Sequence, residues 1–114
     1  MKGEELFLQI SQYRNNGNLA VLAYTEEEPY GNITINLSGY WLDENEGFID
    51  PIIKHLGLED ELIKKGIIKE IKSTVKYNMG EYDWAVFDME KLKEYDSVGM
   101  EKYKKLIEKE EEFE

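Results

Sequence analysis

The first part of the fold is decided by residues 14–24, which read RNNGNLAVLAY. The first five of these residues supply asparagines and a glycine that tolerate positive φ, as a tight hairpin turn requires. The next six are apolar at successive positions, which indicates a strand that is central in a sheet or covered on both faces. Before the turn, Leu6, Leu8 and Ile10 alternate with the two-residue period of a strand. The sequence therefore predicts a hairpin whose second strand is central.

Two further segments carry strand patterns. Ile33, Ile35 and Leu37 alternate with polar residues, which predicts a third strand and a three-stranded meander. Residues 71–87 place apolar and aromatic residues on both sides of the turn-like segment 78–81, which predicts a second hairpin. The sequence thus predicts five strands.

Helices are predicted where capping residues precede a helical apolar period. Asp50-Pro51 is typical of a helix start, which predicts a short helix over residues 52–56 and a second over residues 58–66. After Asp88 the pattern predicts a short helical segment and then a C-terminal helix capped by Asp96-Ser97.

The order βββ-α-ββ-α is that of an α+β domain. We expect one five-stranded, mostly antiparallel sheet packed against the short middle helices and the C-terminal helix. Residues 1–114 should form a single domain with a core over about residues 5–107 and an acidic tail over residues 108–114. The expected core residues are Leu6, Leu8, Ile10, Val21, Leu22, Ile33, Ile35, Leu37, Leu62, Ile71, Val75, Phe87, Leu92, Tyr103 and Ile107.

The composition excludes several classes of site. There is no cysteine, so disulfides, thiolate metal sites and a cysteine nucleophile are absent. The net charge of −11 argues against direct nucleic-acid binding, since a phosphate-binding face needs a basic patch. No apolar run approaches membrane-spanning length and the first residues lack an apolar signal, so we expect a cytoplasmic protein with no membrane partner. No motif implies a cofactor or a catalytic residue.

The charge is distributed unevenly along the chain. Residues 15–53 contain no lysine or arginine, and the net charge is −7 over residues 1–50 but −4 over residues 51–114. The acids of the cation-free stretch are Glu26, Glu27, Glu28, Asp43, Glu44, Glu46 and Asp50. Three aromatic residues flank them, namely Tyr30, Tyr40 and Trp41. A field of one sign raises encounter rates with an oppositely charged partner, although an acidic surface also serves solubility alone.

Other features have simpler interpretations. His55 falls near the end of a short predicted helix, where a surface or capping role is expected. The segment of residues 43–50 is rich in oxygen ligands, which makes a cation-binding protein or an acid-dependent hydrolase an alternative, but it fails the EF-hand pattern. The lysines at positions 64, 65, 69, 72 and 76 are expected on the wet face of an edge strand and at a helix end. A further alternative is an assembly module that docks through the C-terminal helix around Met100, Tyr103 and Ile107.

Three segments resemble a known family. They are residues 16–20 (NGNLA), 28–37 (EPYGNITINL) and 42–50 (LDENEGFID). Together they resemble a domain-of-unknown-function family of small acidic proteins, encoded on conjugative elements and phages of gut bacteria, over about residues 6–95. The resemblance implies a mobile-element protein, some of whose acidic neighbours are antirestriction proteins that imitate DNA. It implies no catalytic or binding residue.

The charge and the resemblance together suggest a function. We expect a non-enzymatic inhibitor that presents carboxylates to the basic groove of a nucleic-acid-handling protein, such as a restriction or CRISPR-type effector. The expected contacts are the seven acids of the cation-free stretch, with the three flanking aromatic residues as anchors. This hypothesis requires that the seven acids share one exposed surface.

Overall fold

Seven strands and four helices make up the part of the chain that the structure describes, which is residues 7–14, 17–24, 29–37, 39–40 and 42–112 of a computed structural model. Together they form one α+β domain, as expected. In chain order the elements are β1 (Phe7–Gln12), β2 (Leu19–Tyr24), β3 (Pro29–Asn32), β4 (Thr34–Ile35), β5 (Glu46–Ile49), α1 (Pro51–His55), α2 (Leu58–Lys64), β6 (Ile68–Tyr77), β7 (Gly80–Phe87), α3 (Met89–Tyr95) and α4 (Ser97–Glu112).

The apolar strand β2 lies at the centre of a three-stranded antiparallel sheet, between β1 and β3. The turn before it is closed by the Gly17 N–H, which donates to the Tyr13 carbonyl at 2.8 Å. Gly17 has a φ of 76°, a left-handed conformation that glycine adopts without strain. The predicted first hairpin and the central position of its second strand are both confirmed.

The remaining strands form a second antiparallel sheet of four strands in the order β4-β5-β7-β6. The prediction of one five-stranded sheet is therefore wrong. The predicted third strand divides at Ile33, whose N–H donates to Val21 in the first sheet at 2.8 Å and whose carbonyl accepts from Asp50 at 2.9 Å. Ile33 thus links the two sheets. An alternating pattern cannot distinguish one long strand from two short strands in different sheets, because both bury the same positions.

Thr34 completes the junction between the two sheets. It is 1% exposed, and its hydroxyl accepts a hydrogen bond from the Val21 N–H at 3.1 Å. The Tyr13 hydroxyl donates to the Thr34 carbonyl at 3.0 Å. The Thr34 side-chain oxygen therefore satisfies the Val21 N–H of β2 at the point where the third predicted strand leaves the first sheet. This buried backbone donor is not left without an acceptor.

The predicted helices are present, with the expected caps. Asp50 accepts a hydrogen bond from the Ile52 N–H at 3.0 Å and so caps α1. Asp96 caps α4 by accepting from the Gly99 N–H at 3.0 Å, while its second carboxylate oxygen accepts from the Ile10 N–H at 2.9 Å. The C-terminal helix is thereby fastened to strand β1.

The core draws side chains from both sheets and all four helices. Nine of the predicted core residues are buried: Leu8, Ile10, Val21, Ile33, Leu37, Leu62, Phe87, Leu92 and Tyr103. Five are only partly buried: Leu22, Ile35, Ile71, Val75 and Ile107. Leu6 lies outside the described residues. Within the described ranges, every helix is too short or too polar to cross a bilayer.

Candidate functional site

A tight turn leads into β5, and we name residues 43–46 the acidic turn because three of its four residues are acids. The Glu46 N–H donates to the Asp43 carbonyl at 3.1 Å. The Asp43 N–H donates in return to the Glu46 carboxylate at 2.9 Å. These two reciprocal hydrogen bonds close the turn on itself.

Two long-range hydrogen bonds hold the same turn from outside. The Tyr103 hydroxyl, on α4, donates to the Glu44 carbonyl at 2.6 Å, and the Phe87 N–H, at the end of β7, donates to the Asn45 carbonyl at 2.7 Å. Tyr103 is fully buried, so packing fixes the position of its hydroxyl. A backbone held by four hydrogen bonds has little backbone conformational entropy left to lose on binding.

The side chains of Asp43 and Glu44 form the part of the acidic turn that faces solvent. Within the described chain neither carboxylate has an ion-pair or hydrogen-bond partner. The pKa of Lys72 is raised mainly by its hydrogen bond to Glu46, with a smaller electrostatic contribution from Asp43. The turn therefore presents two adjacent exposed carboxylates on a backbone that hydrogen bonds hold in place.

Glu46 points inward, so the expectation that it belongs to an exposed acidic surface is wrong. It is 4% exposed, and its carboxylate lies 2.9 Å from the Lys72 ammonium. Burial alone would raise the pKa of Glu46, but hydrogen bonds from the Asp43 N–H and Lys72 outweigh it, so this pKa is lowered. The neutralising lysine comes from β6, 26 residues away. A local count of charges therefore could not detect it.

The other predicted contact residues fall in different places. Asp50 is half-buried and its carboxylate caps α1, so it supports that helix. The Tyr40 ring packs edge-on against Phe48 and Trp84, with centroid separations of 5.0 and 6.1 Å. Tyr40 thus packs against the outer face of the second sheet. The sequence instead predicted that Tyr40 contacts a partner. Tyr30 lies in β3. The predicted contacts Glu26, Glu27, Glu28 and Trp41 lie outside the described residues.

The structure gives no support to a cation site in residues 43–50. Strand β5 occupies half of this segment, and all four of its residues are buried. The sequence did not predict this strand, because its residues have no alternation when both faces are covered. Across the described ranges no group of three or more acidic, histidine or cysteine side chains has an arrangement suited to a metal ion.

The face of α4 that was an alternative docking surface is already used inside the molecule. Met100 and Tyr103 are buried in the core, and Ile107 packs against it. The exposed apolar residues of this helix are Val98 and Leu106, which line a groove of about 670 Å³ beside β1. Arg14 also lines this groove. The predicted docking face and the exposed face of α4 are therefore different.

A second acidic feature, which the sequence did not predict, lies where α2 packs on the second sheet. Glu59 and Asp83 are 5% and 7% exposed, and each carboxyl group shifts the pKa of the other. Asp83 also accepts from the Thr74 hydroxyl at 2.7 Å and lies 3.1 Å from the Lys54 ammonium. We name Glu59 and Asp83 the carboxyl pair.

The carboxyl pair has unequal protonation behaviour. Burial, followed by the neighbouring Asp83, raises the pKa of Glu59 to about 7. Burial also tends to raise the pKa of Asp83, but hydrogen bonds from Thr74, Glu59 and Lys54 lower it overall. One carboxyl is therefore held neutral beside an ionised one, an arrangement common where acids do chemical or regulatory work.

The sequence did carry a signal for the burial of each member of this pair. Asp83 alternates with Ala85 and Phe87, so the two-residue period places it on the buried face of β7. Glu59 precedes the buried Leu62 by three residues and thus shares its helix face. The contact between them depends on how α2 crosses the sheet, which the sequence pattern does not specify.

The remaining predictions concern surface residues. His55 is the last residue of α1 and is exposed, in agreement with a surface role near a helix end. Lys69, Lys72 and Lys76 are exposed on β6, an edge strand, while Lys64 and Lys65 lie at the end of α2. The prediction of an edge strand and a helix end is confirmed.

Comparison with known proteins identifies a family for the chain. The family model described as Domain of unknown function (DUF4313) matches residues 7–107. The expected relation to a family of unknown function is thereby confirmed. A search of the curated proteins finds no match, and a search of the solved structures finds none either. A functional assignment therefore has to start from the geometry.

Proposed function

The chain belongs to the DUF4313 family, whose function is unknown, and we propose that it is a non-enzymatic inhibitor of a nucleic-acid-handling protein. It places carboxylates in the basic groove of a restriction or CRISPR-type effector and competes there with nucleic acid. Its partner is thus a protein, and it makes no direct contact with nucleic acid.

The rigid acidic turn is the observation that carries this proposal. Asp43 and Glu44 are exposed and unpaired within the described chain, while four hydrogen bonds hold the backbone beneath them. Charges on an ordered backbone bind an opposite charge pattern at a lower entropic cost than charges on a flexible loop. The net charge of −11 adds long-range attraction to a basic partner.

The proposed contact set is smaller than the one predicted from sequence. Asp43 and Glu44 are its described members. Glu46 and Asp50 are left out, since one pairs with Lys72 and the other caps α1. The acids at positions 26–28 and the aromatic residues at positions 30 and 41 stay predictions.

The biological setting that we propose is a mobile genetic element of bacteria. This part of the proposal follows from the resemblance of residues 16–20, 28–37 and 42–50 to proteins of such elements. An element that enters a new host meets nucleases that recognise its DNA. An acidic inhibitor of such a nuclease would protect the element.

The test is affinity capture with a matched charge control. The variant Asp43→Asn/Glu44→Gln removes two charges from the acidic turn, and Glu101→Gln/Glu108→Gln removes two from exposed sites on α4. Each protein is immobilised as bait for a bacterial host lysate, and the captured proteins are identified by mass spectrometry. We expect the wild type and the α4 control to retain a nucleic-acid-binding protein that the acidic-turn variant loses.

Competition distinguishes mimicry from other binding. Added duplex DNA and rising salt should both release the captured protein, because the carboxylates and the phosphates occupy one groove. Capture that resists both DNA and salt would contradict the proposal. Loss of such capture in Leu106→Glu would favour an assembly module that docks through the exposed face of α4 instead.

A further inference from the structure

The carboxyl pair supports an inference that is independent of the proposed inhibitor function. We propose that Glu59 and Asp83 share a single proton and that its loss loosens the packing of α2 on the second sheet, so that the α1–α2 corner responds to pH. The acidic turn takes no part in this device, which means that either proposal can fail alone.

Among the described residues, the carboxyl pair has too few hydrogen-bond donors and cations around it to offset two buried negative charges. Asp83 accepts from the Thr74 hydroxyl at 2.7 Å and is paired with Lys54 at 3.1 Å. Oε2 of Glu59 is buried without a hydrogen-bond partner in the described structure. After burial itself, Asp83 is the neighbour that does most to raise the pKa of Glu59. A buried carboxylate with an unpaired oxygen is costly when ionised and much less costly when protonated.

The charges that surround the carboxyl pair also favour one bound proton. Lys54, from α1, is the cation beside it, and its side chain is 62% exposed, so water weakens its attraction. Asp60, on α2, adds a further negative charge near Glu59, and Glu81, on β7, acts on Lys54. Thr74, from β6, contributes a hydroxyl but no charge. With every acid ionised, negative charge exceeds positive charge in a buried place, and one proton relieves the excess.

The proton lies on Glu59 and is lost near neutral pH, since burial and Asp83 raise the pKa of Glu59 to about 7. In the unfolded chain a glutamate has a pKa of about 4.3. Between these two values the folded protein holds a proton that the unfolded chain releases. Stability from this group is therefore fully present below the unfolded value and is lost as the pH rises through about 7.

The decisive experiment compares Glu59→Gln with wild type in urea unfolding at pH 5, 6, 7 and 8. Glutamine retains a donor toward Asp83 and cannot ionise. From pH 5 to pH 8 the wild-type unfolding constant should rise by roughly 70-fold relative to that of the variant. The control is Glu61→Gln, the same change on the same helix, which should keep the wild-type pH dependence. Parallel curves for wild type and Glu59→Gln would overturn the proposal.

Two measurements on the unmodified protein decide the question if Glu59→Gln fails to fold. Carbon NMR of the side-chain carboxyls should show one glutamate that titrates above pH 6, and a set in which every carboxyl titrates below pH 5 would contradict a shared proton. Hydrogen exchange, corrected for intrinsic rates, should show protection of α1 and α2 falling between pH 6 and pH 8 by at least as much as that of β1 and β2. Unchanged protection of α1 and α2 would contradict the loosening.

Discussion

Glu46 and Glu59 are the buried glutamates of the described chain, at 4% and 5% exposure, yet their pKa values move in opposite directions. Glu46 accepts hydrogen bonds from a backbone N–H and from Lys72. Glu59 meets another carboxyl and leaves one oxygen unpaired. Burial is common to both residues, so the neighbouring groups decide whether a buried acid is ionised.

The comparison also separates two roles for acids in this molecule. Glu46 is ionised and holds the acidic turn in place, which allows Asp43 and Glu44 to face solvent. Glu59 is the weak point of the α2 packing, because its ionisation introduces repulsion where α2 meets β7. One buried acid therefore stabilises the exposed acidic turn, and the other is proposed to make a helical corner sensitive to pH.

The largest change in the free energy of unfolding is expected for Glu46→Ala. The change removes the acceptor for the Asp43 N–H and the partner of Lys72, and it leaves a cavity at a buried site. We expect a loss of about 2–3 kcal/mol in the free energy of unfolding, measured in urea at pH 7. The exposed neighbour Glu44→Ala should change stability by less than about 0.5 kcal/mol. Equal effects of the two changes would mean that Glu46 does not hold the turn.

Glu59→Gln is expected to raise the free energy of unfolding, whereas Glu46→Ala lowers it. Thermal unfolding at pH 8 should show the variant more stable than wild type, by at most about 3 kcal/mol for a shift of the size given by its raised pKa. At pH 5 the difference should nearly vanish, since Glu59 is then protonated in the folded protein. A variant less stable than wild type at both pH values would contradict the conclusion that ionised Glu59 destabilises the fold.

A smaller effect is expected for Tyr103→Phe, which removes the hydrogen bond from α4 to the Glu44 carbonyl but keeps the buried ring. We expect a loss of about 1 kcal/mol. Hydrogen exchange should also show weaker protection of the Glu46 N–H, which closes the turn. The control is Tyr95→Phe, on α3. Unchanged protection of Glu46 would mean that α4 does not fix the turn.

The smallest effect concerns the decline of the free energy of unfolding at acidic pH. The lowered pKa values of Glu46 and Asp83 contribute stability above their unfolded values, and this is lost as the pH falls through the folded ones. Glu46→Gln should therefore flatten the decline below pH 4.5, whereas Glu59→Gln should leave that decline unchanged. Acid titration followed by circular dichroism measures both. A steeper decline in Glu46→Gln would contradict the assigned direction.

The local parts of the fold were predictable from sequence, and the pairing of its sheets was not. Turn residues and caps such as Gly17 and Asp50 act within a few positions, so the first hairpin and α1 follow from short segments. The division of the third strand depends on the Thr34 hydroxyl meeting the Val21 N–H, a contact across 13 residues. Nothing in the alternation of apolar residues signals where a strand changes sheets.

The candidate site divides in the same way. The exposure of Asp43 and Glu44 agrees with the expectation that they belong to an exposed acidic surface. The burial of Glu46 depends on Lys72, and the carboxyl pair depends on a contact between α2 and β7. Each of these contacts joins side chains more than 20 residues apart. Charge counting along the chain treats all acids alike, and only the tertiary structure distinguishes them.

The rigidity of the acidic turn is the property on which the proposed function depends most directly. Nitrogen-15 relaxation measures it through the backbone order parameters of Glu44 and Asn45. The hydrogen bonds from Tyr103 and Phe87 predict order parameters near those of the β-strands, at about 0.85. Order parameters below about 0.6 would show a flexible turn and would contradict the account of carboxylates presented to a basic partner on a rigid backbone.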